Sequence, residues 1–163
     1  GAGLTIGGDI LATLYLTSGA EENIRAGSII EIKGGVDYRI VPRVSLRGNF
    51  GFHFNQISAG SDGDLNFTRF PVEAMALVHV DEKISLGVGV RKALAASLKG
   101  TKTVAYYIDH YTFESSLSLI VQAEYRLNNV GIILRYVNEK YRVNSFWAWN
   151  DGSHVGVEAN YYF

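Results

Sequence analysis

A two-residue period runs through most of this sequence and constrains its fold more than any other feature. In the first stretch Leu4, Ile6, Gly8, Ile10, Ala12, Leu14 and Leu16 share one parity, while Thr5, Gly7, Asp9, Leu11, Thr13, Tyr15 and Thr17 share the other. Neighbouring side chains of a strand point to opposite faces, whereas a helix repeats every 3.6 residues, so the pattern predicts half-buried strands. It returns from Ser28, where Ile30, Ile32, Gly34, Val36, Tyr38 and Ile40 oppose Glu31, Lys33, Gly35, Asp37 and Arg39. After Pro42, Val44, Leu46, Gly48, Phe50, Phe52 and Phe54 alternate with Arg43, Ser45, Arg47, Asn49, Gly51, His53 and Asn55.

Five further stretches follow the same rule, over Arg69–Val80, Ile84–Arg91, Leu117–Arg126, Val130–Val137 and His154–Phe163, which makes eight strands. Glycine at 18 and proline at 2 suit strands separated by turns. Lys92 and Lys140 fall on the apolar parity, which predicts a bulge or the end of the apolar zone at those points. The connections at Pro42, Asp81 to Lys83 and Leu127 to Asn129 are short, whereas those at Ser18–Gly27, Gln56–Asn66, Ala96–Tyr111 and Val143–Ser153 are long. Short and long connections alternate, so the long ones gather at one end, as in outer-membrane barrels.

Nothing in the composition shifts midway, and residues 1–163 read as one domain. Hydrophobic residues make up 47% of the chain, yet Leu117 to Val121, interrupted by Ser118, is among the longest aliphatic stretches. That is far below the roughly 20 residues of a transmembrane helix. A net charge of −1 gives no electrostatic reason to expect nucleic acid. The absence of cysteine excludes thiol catalysis, cysteine-based zinc sites and disulfides. No basic and apolar leader precedes Leu4, so the chain is read as a mature form.

Alternation alone also describes a soluble barrel with its apolar face inward. The charges decide against that. One parity carries Glu31, Asp37, Glu73, Glu124 and Glu158 with Arg39, Arg47, Arg69, Arg91 and Arg135, besides Asp9, Lys33 and Arg126. An eight-stranded barrel has an interior just wide enough for side chains to fill, and this near-neutral mixture suits a lumen of mutual ion pairs. The opposite, evenly apolar parity suits lipid. The fold expected is all-β, an eight-stranded antiparallel up-and-down transmembrane β-barrel.

Three segments carry a family likeness: Phe70-Pro71-Val72-Glu73, Ile84-Ser85-Leu86-Gly87-Val88-Gly89-Val90, and the ending Val155-Gly156-Val157-Glu158-Ala159-Asn160-Tyr161-Tyr162-Phe163. With the strand count, they resemble the OmpA/OmpX/OmpW-type small outer-membrane β-barrel superfamily over essentially the whole chain. The resemblance implies a Gram-negative outer membrane with lipid and lipopolysaccharide around the barrel, long loops extracellular and short turns periplasmic. It also implies recognition of the C-terminal strand, through Tyr161 and Phe163, by the barrel-assembly machinery.

Some barrels of this architecture modify lipid A, a chemistry that would need a serine, a histidine and a carboxylate brought together. His110 lies near Asp109, Glu114, Ser115 and Ser116, but a loop offers little of the fixed geometry that a triad needs. His53 and His154 have no second ligand at metal spacing along the chain, and no metal or cofactor is expected. Tyr106, Tyr107, Tyr111, Phe146, Trp147 and Trp149 put aromatics in the long loops, as an interfacial belt or a recognition surface for a partner protein or ligand. The leading expectation is a non-enzymatic envelope protein with a filled, ion-paired lumen. The alternative is an OmpW-like narrow channel or conduit for small or hydrophobic molecules, helped by the inward-parity Leu11, Ile29, Met75, Leu77, Ile120, Ile133 and Val137. A lipid A-modifying enzyme comes last.

Overall fold

The computed structural model describes residues 1–15, 21–27, 29–58, 63–107, 110–143 and 148–163, with the backbone alone at 14, 15 and 107. Its strands are β1 (Ala2–Gly7), β2 (Ile10–Tyr15), β3 (Glu21–Arg25), β4 (Ile29–Val41), β5 (Val44–Ser58), β6 (Asp64–His79), β7 (Ile84–Gly100), β8 (His110–Ser115), β9 (Ser118–Leu127), β10 (Val130–Asn138), β11 (Lys140–Val143), β12 (Trp149–Asp151) and β13 (His154–Tyr161). One short helix, α1 (Lys102–Tyr107), follows β7. In the order β4-β5-β6-β7-β9-β10-β13-β1 each strand pairs antiparallel with the next, and β1 pairs back onto β4. The chain is therefore an eight-stranded antiparallel up-and-down β-barrel.

Tight turns join the strands at one end. At Val80–Lys83 the Asp81 carboxylate accepts the N–H groups of Lys83 and Ile84, each at 2.7 Å, and these bonds hold its pKa below the ordinary value. Asn128 takes the left-handed conformation, φ 51°, in the turn to β10, a role asparagine tolerates.

At the other end the wall rises higher than the alternation predicted. β8, β11 and β12 continue the sheet from the upper half of β7, and β2 pairs with β3 as a separate hairpin. Parts of the stretches read as long loops are thus strand. Two physical reasons hid them. First, the inward residues there are apolar, namely Ile24, Ala26, Ile57, Leu65, Phe67, Ala96, Leu98, Phe113 and Tyr141, while outward neighbours such as Asn66, Thr68, Lys99 and Lys140 are polar, so the contrast between the faces reverses. Second, parity changes where strands are interrupted.

The clearest interruption is in β7. Its register on β6 passes from Phe70↔Leu94 to Thr68↔Ser97, so Ala95 and Ala96 together face Arg69. This bulge lies just beyond Lys92, and it moves the inward side chains from Arg91 and Ala93 to Ala96 and Leu98. Opposite, where β8 gives way to β9, the Ser115 hydroxyl donates to Ala93 O at 2.8 Å and accepts from Ala93 N at 3.0 Å. At Lys140 no bulge forms, and Arg135, Val137, Glu139 and Tyr141 stay inward without a break. Ala95 has φ 47°, a conformation an L-residue adopts at a cost. Ala95→Gly is expected to raise stability by about 0.5–1 kcal/mol, seen as a higher urea midpoint at unchanged m-value.

The two faces divide sharply. Leu4, Ile6, Ile30, Ile32, Phe50, Phe52, Phe70, Val72, Leu86, Val88, Leu119, Leu134, Val155 and Val157 are all exposed on the outer wall. The lumen beneath the apolar cap holds Glu31, Lys33, Arg47, Arg69, Glu73, Arg91, Glu124, Arg135, Glu139 and Glu158, all buried. Ile29 departs from the expected burial: it is 43% exposed at the first position of β4, although it lies opposite Thr5 and keeps the parity of Glu31. Asp9 also departs from it, lying exposed between β1 and β2, where its carboxylate accepts the Asp151 N–H at 2.8 Å.

Candidate functional site

The charged lumen is built by register. Asp37 on β4 lies opposite Arg47 on β5, Glu31 opposite His53, His53 opposite Arg69 on β6, and Glu73 opposite Arg91 on β7. Cross-strand partners of one face sit within side-chain reach, so these pairs follow from the pleat once the register is set. β9, β10 and β13 add Glu124, Arg135 and Glu158 from the far wall.

The lowest storey lies towards the tight turns. Arg47 holds Asp37 with a fork, Nε to Oδ1 at 2.6 Å and Nη2 to Oδ2 at 2.8 Å, and its Nη2 also donates to Glu124 Oε2 at 2.9 Å. Glu124 Oε1 accepts Tyr162 OH at 2.6 Å and Arg126 Nη2 at 3.1 Å. The Arg126 guanidinium lies 3.8 Å from the centroid of the Tyr162 ring.

The middle storey centres on Glu73. Its Oε1 accepts Arg91 Nη1 at 2.9 Å and Arg135 Nη2 at 2.7 Å, and its Oε2 accepts Asn49 Nδ2 at 2.9 Å. Glu158 pairs with Arg135 at 2.7 Å and closely with Lys33, while Glu31 accepts Arg91 Nη1 at 2.7 Å. Glu139 approaches Arg91 Nε at 3.6 Å. Four carboxylates and three cations thus fill one cross-section. A lone charge in so dry a space would cost several kcal/mol, and each of these charges except Glu139, which meets Arg91 alone, is offset by more than one opposite charge among the described residues.

Above them, His53 Nε2 meets Thr5 Oγ1 at 2.8 Å, and its Nδ1 faces Arg69 Nη2 at 2.8 Å and Arg91 Nη2 at 3.2 Å. Arg69 has no carboxylate partner among the described residues, which corrects the expected ion pair. It donates instead to Ala26 O and to His53, and its guanidinium lies over the rings of Phe67 and Tyr141 at 5.1 and 5.3 Å. The cause is its level: it sits where the apolar cap begins, and aromatic faces stand where a carboxylate would. Arg39 is the other correction. It is exposed beside Pro42, His79 and Arg126 at the turn end, with no ion pair among the described residues, because β4 reaches the mouth of the barrel there.

The fold also unites residues that chain spacing kept apart. Glu31, His53 and His154 bring donor atoms within 4.8 Å of one another from β4, β5 and β13. A His₂Glu set suits zinc. Here, however, the two guanidiniums on His53 Nδ1 occupy one ring nitrogen and place fixed positive charge beside the trio, whereas a ligating histidine normally donates from its second nitrogen to an acceptor. Ion pairing is the better account of this group. Lys33 takes the inward place its parity gave it, whereas Glu139 was missing from the expected network. Glu139 was legible, since it continues the parity of Arg135 and Val137.

Comparison with known protein families, characterised proteins and solved structures finds no match. The lumen must therefore be interpreted on its chemistry alone.

Among the described residues the hydrolase set does not assemble. His110 lies exposed at the start of β8 opposite Lys99, and the hydroxyl of Ser115 is engaged with Ala93. Asp109 lies outside the described residues. At the turn end His79 bridges two hydroxyls, Ser45 Oγ at 2.7 Å and Ser85 Oγ at 2.8 Å. Of the loop aromatics, Tyr106, Tyr111 and Trp149 are exposed, and Arg142 lies 4.9 Å over the Trp149 ring. Phe146, Trp147 and the Tyr107 side chain lie outside the described residues. Tyr161 and Phe163 are exposed on the outer wall with rings 6.5 Å apart.

Proposed function

We propose that the chain is an integral outer-membrane protein of a Gram-negative envelope, non-enzymatic, with a sealed ion-paired barrel that anchors a loop-end surface for envelope or surface interactions. One observation carries this reading: the molecule is inside-out for water, with an apolar outer wall and buried charge within. From Val44 to Phe54 the apolar face of β5 spans on the order of 26 Å of height, at about 3.4 Å per residue and a tilt near 40°, close to the ~25 Å apolar band of such barrels. Long loops then face outward and tight turns face the periplasm. Lipid and lipopolysaccharide cover the wall, and the exposed Tyr161 and Phe163 offer the assembly machinery its aromatic signal.

Dilution out of denaturant tests the placement. The chain is expected to fold only with detergent or phospholipid vesicles and to float with the vesicles in a density gradient. In planar bilayers no steady single-sized conductance is expected, since the two lower storeys and the apolar cap block the axis. A monomer that stays folded without amphiphile defeats the membrane placement, and a stable open channel defeats the sealed lumen. The conduit reading keeps one observation in its favour, an apolar cleft of about 350 Å³ at the loop end, bounded by Ile10, Leu11, Leu98, Phe113 and Val143. Its ligand would be a small hydrophobic molecule.

A further inference from the structure

The turn end of the barrel gathers cations that the ion-paired lumen does not use. Arg39 on β4, Arg43 just before β5 and Arg126 on β9 line one cavity of about 300 Å³, together with His79 and Ser85. All five fall on the inward parity, so the cavity lies within the mouth of the barrel and not on its apolar wall. Register explains the gathering. Arg39 lies opposite Ser45, Ser85 lies opposite both His79 and Glu124, and the His79 N–H donates to Arg43 O at 2.9 Å. Nearby acids are already engaged: Arg47 holds Asp37 and Glu124 from below, and the Asp81 carboxylate accepts the N–H groups of its own turn. Glu82, exposed on that turn, is the remaining acid of the lining. Arg39 and Arg43 are exposed and have no ion pair among the described residues, while Arg126 turns Nε and Nη2 to Glu124 at 3.3 and 3.1 Å.

Guanidiniums around one cavity repel one another, and an anion among them turns that repulsion into attraction. The hydroxyls add a donor. His79 meets Ser45 and Ser85 through its two ring nitrogens, and a neutral imidazole donates from one and accepts at the other. The hydroxyl that receives the ring N–H keeps its own proton to give, and in the Nδ1–H tautomer that hydroxyl is Ser85, on the cavity wall. Donors therefore converge from β4, from the turn after it, from β7 and from β9. A carboxylate accepts close to its own plane. A tetrahedral phosphate offers oxygens in several directions and still matches the guanidinium fork, so it suits this arrangement better.

We propose that the mouth at the turn end binds a phosphate group, free or as a phosphomonoester, between Arg39, Arg43 and Arg126. The proposal goes beyond the membrane placement and does not rest on it. It also gives Arg39, which obeys the inward parity without meeting a carboxylate, a partner from outside the chain.

The test uses the full chain, isotope-labelled at its arginines and refolded in a non-ionic maltoside detergent, with inorganic phosphate as the probe at constant ionic strength. Phosphate is expected to move the Nε–H resonances of Arg39, Arg43 and Arg126 along one saturating curve and to leave Arg142, at the loop end, in place. Acetate, which brings charge without the tetrahedral shape, is expected to bind at least tenfold more weakly. Arg39→Gln and Arg43→Gln should each weaken phosphate binding about tenfold, the size expected for one hydrogen bond to a charged group, with little change in urea midpoint. If either variant does not fold, the comparison with acetate decides alone. Dihexanoylphosphatidic acid below its micelle concentration identifies the source. Tighter binding than phosphate assigns the same site to a lipid headgroup, and equal or weaker binding assigns it to a phosphate group carried in water. Four results overturn the proposal: no saturable shift with either phosphate probe, acetate as tight as phosphate, Arg142 moving along the same curve through general screening of charge, or folded Arg39→Gln and Arg43→Gln variants that bind as the unmodified chain does.

Discussion

Glu73→Ala is expected to destabilise the barrel by about 3–5 kcal/mol, measured by reversible urea unfolding in phospholipid vesicles. Glu73 is the acceptor shared by Arg91, Arg135 and Asn49, and both guanidiniums are fully buried. Truncation leaves Arg91 with Glu31 and Glu139, and Arg135 with Glu158, so both buried guanidiniums lose a carboxylate partner where no solvent replaces it. The loss is then the desolvation of cations that have lost a partner, not the strength of one ion pair. Two comparisons separate this account from simple loss of contact. Asp37→Ala, whose carboxylate is 28% exposed at the mouth, should cost about 1 kcal/mol or less. Adding Arg135→Met to Glu73→Ala should recover part of the loss, because Glu158 keeps Lys33 while one of the cations that lost a partner is gone. Equal costs for Glu73→Ala and Asp37→Ala, or strict additivity in the double variant, would mean that the lumen is wet and the charges independent.

Much of this site could be read from parity, and the misses have physical causes. Asp37, Arg47, Glu73, Arg91 and Arg135 sit on strands with uninterrupted alternation over the charged storeys, so their inward placement follows from the period of two. Which carboxylate meets which cation does not follow, because Arg47–Glu124 and Arg135–Glu73 reach across the lumen between strands that are not neighbours. Arg39 and Arg69 obey parity yet meet no carboxylate among the described residues, since height along the barrel decides whether an inward position meets solvent, charge or the apolar cap. Glu31, His53 and His154 are 22 and 101 residues apart along the chain (53 − 31 and 154 − 53), and only closure of the barrel unites them. The extra height of the wall escaped for a related reason. Phe67, Leu98, Phe113 and Tyr141 face inward between polar outward neighbours such as Asn66, Lys99 and Lys140, so the alternation there runs opposite to that of the charged storeys, and the bulge at Ala95 shifts its parity.

Phe50→Arg is the sharper test of where the barrel resides, because the two environments predict costs of very different size. Phe50 lies near the middle of the apolar face of β5, is 57% exposed, and stacks on Phe70 at 6.3 Å. In a bilayer an arginine there faces the hydrocarbon midplane and is expected to cost about 2–4 kcal/mol. In water the same substitution replaces an exposed ring by a solvated cation, and beyond the ring contact itself it should cost nothing. Phe50→Ala supplies that reference, since it removes the stacking, worth about 0.5–1.5 kcal/mol, without adding charge. The quantity that decides is the difference between the arginine and alanine variants in vesicle unfolding. Val80→Arg provides the depth control. Val80 is exposed beside the tight turn at Asp81, level with the edge of the apolar band, where the penalty should fall to about 0–1 kcal/mol. A large cost at Phe50 with a small one at Val80 measures a bilayer across the barrel. Equal, near-zero differences at both positions would leave the apolar wall facing something other than lipid, and the outer-membrane placement would have to be abandoned.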